Sequence, residues 1–96
     1  MLVHTVLFWL KPGQDRAAFQ AQVETLAGIP TLKAFWVGTP AATAKRPVID
    51  TSYDVCLTTV FDSVADHDVY QEHALHLAFL SNNKDRWQRV QVYDAD

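Results

Sequence analysis

The chain has 96 residues, 49% hydrophobic and 20% charged, a balance that one core can organise and that excludes disorder. Eight Lys+Arg against eleven Asp+Glu give a formal net charge of −3, without the basic surplus of a nucleic-acid-binding surface. The apolar opening, residues 2–10, is far short of the roughly 20 residues that span a bilayer and follows no basic leader, and the lone Cys56 permits neither an internal disulfide nor a cysteine zinc site.

A cytoplasmic single domain over residues 1–96, with no nucleic-acid or membrane partner, is the expectation. Residues 2–10 are rich in β-branched and aromatic side chains and predict a strand. Alternation places Leu2, His4, Val6, Phe8 and Leu10 on one face and Val3, Thr5, Leu7 and Trp9 on the other, both mostly apolar. Lys11-Pro12-Gly13 ends the strand, because Pro cannot donate to a ladder and Gly permits a turn. Asp15 then caps a helix predicted over 16–27, where Phe19, Val23 and Leu26 make one apolar stripe. Gly28 and Pro30 stop it. Phe35-Trp36-Val37 carry a second strand over 32–38, and residues 39–52 then lose periodicity in a connection longer than most loops of compact domains.

A third strand is predicted over 53–61, with Tyr53, Val55, Leu57, Thr59 and Phe61 on one face. Ser63 caps a helical stretch over 64–80, supported by Asp66 three residues on. Ser81-Asn82-Asn83 is read as its end, a short polar turn over 84–86 follows, and 90–93 forms a last strand. The order β-α-β-β-α-β is the ferredoxin-like arrangement of the α+β class: a four-stranded antiparallel sheet with both helices on one side. Its other face is left bare and apolar, so a homodimer packed sheet face to sheet face is expected.

The residues able to do chemistry gather around the second helical stretch. His67, Tyr70, His73 and His76 recur every three positions. Tyr70 and His76, six apart, diverge by about 120° on an unbroken helix and can share a pocket only if it breaks near 72–74. His67 and His73 read most simply as the polar face of a surface helix. A metal reading pairs His73 with His76 and adds His67 or Glu72, but the His-Glu-x-x-His spacing is missing, and no metal or cofactor is assigned. His4 stands among apolar neighbours. It is either a core histidine satisfied by one hydrogen bond or a neutral imidazole in an apolar cavity, usable as a base beside a Tyr hydroxyl. Cys56 reads as a buried structural thiol.

Several segments occur together in a telling order: His4-Thr-Val-Leu-Phe-Trp-Leu-Lys-Pro-Gly13, Ile29-Pro30, Val37-Gly38, Tyr53-Asp54, Phe61-Asp62-Ser63, Tyr70-Gln-Glu-His73-Ala-Leu-His76-Leu-Ala-Phe79 and Asp94. Across its whole length the chain resembles the stress-responsive dimeric α/β-barrel (Dabb) family, and more distantly that family's plant polyketide cyclase, which makes olivetolic acid. The resemblance implies a ferredoxin-like monomer pairing into a dimeric α/β barrel, with a pocket between sheet and helices and the His4 face inward. From the cyclase it implies Tyr70 and His76 as an acid–base pair working without metal or cofactor, with His4 beside them. The candidate lining is Val6, Phe8, Tyr53, Val55, Leu57, His73 and Phe79. Ala74 stands where the family usually has Pro, and Val55 where the cyclase has His, which favours a smaller or more apolar ligand. Two functions follow. One is a cofactor-free cyclase- or isomerase-like enzyme on a small carbonyl or aromatic compound, with His76 moving the proton, Tyr70 stabilising the oxyanion and His4 positioning the substrate. The other is a non-catalytic, stress-associated or ligand-binding dimer.

Overall fold

The alternation of the first strand sets the architecture. In the computed structural model, which describes residues 1–96, β1 (Leu2–Leu10) buries Leu2, His4, Val6, Phe8 and Leu10 and leaves the residues between them half-buried. Asp15 begins α1 (Arg16–Glu24) by accepting from the Ala18 amide at 3.1 Å. The helical path continues beyond Glu24 as expected, but it tightens into a 3₁₀ turn, Thr25–Gly28, that buries Leu26 before Ile29-Pro30 turns the chain away. β2 (Ala34–Gly38) begins two residues later than the periodicity suggests, and residues 39–52 form neither strand nor helix. β3 (Val55–Phe61) begins after Asp54, whose carboxylate accepts from the Leu10 amide at 2.7 Å and from Arg16 at 3.1 Å, tying the end of β1 to the start of α1.

The second helical stretch is two helices, α2 (Val64–Glu72) and α3 (Ala74–Asn83), interrupted at His73. Here the expected end at Ser81-Asn82-Asn83 is corrected. Asn83 is buried and its side-chain amide donates to the Phe79 carbonyl at 2.9 Å, so the polar run completes the last turn of α3, and the stop is the 3₁₀ turn Lys84–Arg86. The last strand is also longer than expected. β4 (Trp87–Ala95) pairs with β1 from Val3↔Ala95 to Leu10↔Trp87, with a register shift at Trp9/Leu10. As an edge strand it tolerates the polar residues that hide its ends in the sequence pattern.

The strand order is β2-β3-β1-β4, antiparallel throughout, which with the helices on one face is the ferredoxin-like α+β fold. The core lies between sheet and helices: Phe19, Val23 and Leu26 face Phe8, Val55, Leu57 and Phe61, closed by Tyr70 and Phe79. The ring of Phe8 meets Phe19 at 5.1 Å and Trp87 at 5.2 Å. Across the sheet, Val3, Leu7 and Trp9 are half-buried and Trp36 is 63% exposed. No helix is long and apolar enough to cross a membrane.

Candidate active site

The site begins with strand register. On β1, His4 stands directly between Thr59 of β3 and Asp94 of β4, and directly opposed residues share a sheet face. Thr59, fully buried, donates its hydroxyl to the His4 carbonyl at 3.1 Å. Asp94, at the sheet edge, places a carboxylate oxygen 2.5 Å from His4 Nδ1. A carboxylate only accepts, so His4 Nδ1 carries the proton of this bond.

The helices supply the rest. His73 leaves the helical conformation at φ −64°, ψ 144°, and its Nδ1 accepts from the Leu75 amide at 3.0 Å, so its imidazole is the N-cap of α3. This restart substitutes for the missing proline at Ala74. It re-aims the chain so that the Tyr70 and His76 rings, six residues apart, lie 4.9 Å from each other. His4 is 6.2 Å from the Tyr70 ring and 4.8 Å from that of His67.

His4, Tyr70 and His76 border a cavity of about 210 Å³ between sheet and helices. His4, Tyr70, Gln71 and His76 form its polar part, while Val6, Phe8, Leu57, Phe79 and Trp87 are among its apolar walls. It opens toward the β4 edge, where Val90 and Val92 line it while each is 43% exposed. Three residues expected in the lining stand elsewhere. Val55 is fully buried in the core, Tyr53 is half-buried ahead of β3, and His73 caps α3. The sequence reading in turn missed Gln71, Trp87, Val90 and Val92, and the contacts of Asp94 and His67 with His4. Once β4 is extended to its full length, its alternation puts Val90, Val92 and Asp94 on one face, a signal that the shorter predicted strand concealed.

Burial governs the electrostatics. It lowers the pKa of His4, against the opposing hydrogen bond and charge of Asp94 and with a smaller push from His67. It lowers that of His76, helped by His4 and His67 and opposed by the Gln71 carbonyl, and His76 Nδ1 is buried without a partner. Burial alone raises the pKa of Tyr70, which keeps its phenol protonated. At neutral pH the cavity therefore presents uncharged imidazoles and an intact hydroxyl.

His4, His67 and Asp94 bring potential ligand atoms within 4.8 Å of one another, so a metal deserves a geometric test. Ligands about 2.0–2.1 Å from a tetrahedral ion stand more than about 3 Å apart. At 2.5 Å, His4 and Asp94 are spaced for a shared proton and not for a shared ion.

Comparison with known proteins supports the same frame. No curated protein matches the chain. A Dabb family protein with a ferredoxin-like fold from Mesorhizobium loti superposes with a TM-score of 0.80 at 22% identity, covering 99% of this chain and 94% of that one. A hydroxynitrile lyase from Passiflora edulis gives 0.80 at 20% identity over 98% of this chain and 90% of its own. A dimeric protein of unknown function with a ferredoxin-like fold from Bacteroides fragilis gives 0.74 at 22% identity, covering 99% and 94%. The likeness to these structures is one of fold, whereas the model of the stress-responsive A/B barrel domain matches residues 2–96, and the chain belongs to that Dabb family.

Proposed function

We propose that the protein is a cofactor-free acid–base enzyme acting on a small carbonyl or aromatic compound held in the cavity between sheet and helices. The observation that carries this reading is the lining of one small apolar cavity by His4, Tyr70 and His76, with both imidazoles kept neutral and the phenol kept protonated by burial. A neutral imidazole can take a proton, and a phenol can donate a hydrogen bond to the oxygen on which charge develops. The cavity, about 210 Å³, exceeds the roughly 150 Å³ that accommodates benzene in an apolar protein interior and so suits one substituted ring. The lyase of similar fold acts on hydroxynitriles, adducts of carbonyl compounds, which is in keeping with this class.

The catalytic unit is a homodimer in this reading. Val3, Leu7, Trp9 and Trp36 occupy the sheet face that no helix covers, and a second copy packed on that face removes it from water. The Bacteroides fragilis protein of the same fold is dimeric.

The experiment is a screen of small aldehydes, ketones and phenols for binding and turnover, repeated with Tyr70→Phe and His76→Ala. Loss of turnover with little change in melting temperature supports the enzyme. If both substitutions mainly unfold the protein, these residues are structural, and the non-catalytic binding dimer is the better description.

A further inference from the structure

We propose that Asp94 and His4 form the basic dyad of the cavity: the carboxylate holds His4 in the Nδ1–H form, and Nε2 takes the proton from the bound compound while Tyr70 and His76 hold the oxygen that becomes negative. This rests on the acid–base reading above and reverses the assignment of His76 as the base.

The two cavity imidazoles differ in what can compensate a gained proton. His4 has a carboxylate 2.5 Å from Nδ1, so an imidazolium formed at Nε2 is at once one half of an ion pair. His76 has none. Its Nδ1 is buried without a hydrogen bond, and the nearby charges that act on it are those of His4 and His67, both of which disfavour protonation. A cation at His76 would have the Gln71 carbonyl but no carboxylate beside it in an apolar wall. Neutral His76 instead joins Tyr70, whose ring is 4.9 Å away, as a hydrogen-bonding group.

The dyad is also well held. His4 and Asp94 are directly opposed residues of the β1–β4 ladder, so their spacing is set by backbone pairing as well as by the bond itself. His4 is buried while the Asp94 side chain is 45% exposed, so the carboxylate reaches solvent on one side and His4 on the other. The groups facing His4 are Asp94 from β4, His67 and Tyr70 from α2, and His76 from α3, and Asp94 is the one carboxylate among them. In the step itself, a C–H or O–H bond of the compound breaks, its electron pair remains on the compound as an enolate or alkoxide, and the proton forms a bond to His4 Nε2. The same proton is available to the product, which closes the cycle without an external reagent.

The test has two parts, both on the full chain. Nitrogen-15 NMR of the histidine rings reads the tautomer. The expectation is His4 protonated at Nδ1 and bare at Nε2, with this preference lost in Asp94→Ala and the His76 signals unmoved. His4 protonated at Nε2, or unchanged in Asp94→Ala, overturns the dyad. The second part follows exchange of the methyl hydrogens of acetophenone in heavy water. Asp94→Asn and His4→Gln are expected to slow protein-catalysed exchange by about 100-fold or more, and His76→Gln by less. An exchange rate that falls with His76→Gln but survives Asp94→Asn overturns the dyad and keeps the acid–base cavity. A wild-type protein that neither binds nor exchanges any carbonyl probe counts against the cavity reading itself, while the tautomer still decides the dyad.

Discussion

The Tyr70 ring lies 4.9 Å from that of His76, although an unbroken helix would turn the two residues about 120° apart. One residue makes the difference. His73 adopts an extended backbone, and its imidazole accepts the Leu75 amide hydrogen, ending one helix and starting the next.

That arrangement predicts the effect of restoring a proline. Ala74 is the first residue of α3, where a missing amide hydrogen is harmless, and His73 already has the extended backbone required before proline. Ala74→Pro is therefore expected to stabilise the fold by about 0.4–1 kcal/mol through the unfolded state. His73→Ala should cost about 1 kcal/mol by removing the cap. Urea denaturation checks both, and a proline variant less stable than wild type would refute the conformational argument.

The need for this break was legible in the sequence, because a spacing of six cannot converge on a straight helix. Its cause was not, since a histidine N-cap is recognised only once its backbone conformation is known. The inward face of β1 was readable from alternation, as were the core positions of β3. Asp94 could be noticed but not paired with His4, because register between strands 90 residues apart depends on tertiary assembly. The ends of β4 were lost for a related reason: an edge strand, polar over much of its length, has a weak hydrophobic pattern.

Acid should destabilise the protein through the same histidines that line the cavity. His4 and His76 both have folded-state pKa values below 6.5, so just under that pH the unfolded chain binds more protons than the folded one. Stability is complete above about pH 6.5, declines as pH falls below it, and stops declining on this account once the folded-state values are passed. Melting curves between pH 7.5 and pH 4.5 check the sign, and His76→Gln should flatten the slope. A melting temperature that rises on acidification would contradict it.

Phe19 is the strongest stability probe in the core. Its side chain is fully buried, with ring neighbours in Phe8, Phe79 and Trp87. Phe19→Ala is expected to cost about 3–5 kcal/mol, read from chemical denaturation followed by tryptophan fluorescence. A loss under about 1 kcal/mol would show that α1 is not packed as described.

The uncovered sheet face gives a test of assembly. Light scattering should return about twice 10.8 kDa for the wild type. Leu7→Asp puts a charge at the middle of that face without touching the cavity, and it should halve the mass while circular dichroism stays unchanged. A wild-type monomer at micromolar concentration would leave the face unexplained.

The pairing of the first long strand with the last also sets an order of events in biosynthesis. β1 emerges from the ribosome before β4, which is translated more than 75 residues later, as the positions Leu10 and Trp87 show. Until then the nascent chain has one edge of its central strand unpaired and no wall at the cavity mouth. The cavity is thus finished only when β4 has left the exit tunnel, and a nascent chain arrested before Asp94 can carry Tyr70 and His76 but not the carboxylate that meets His4.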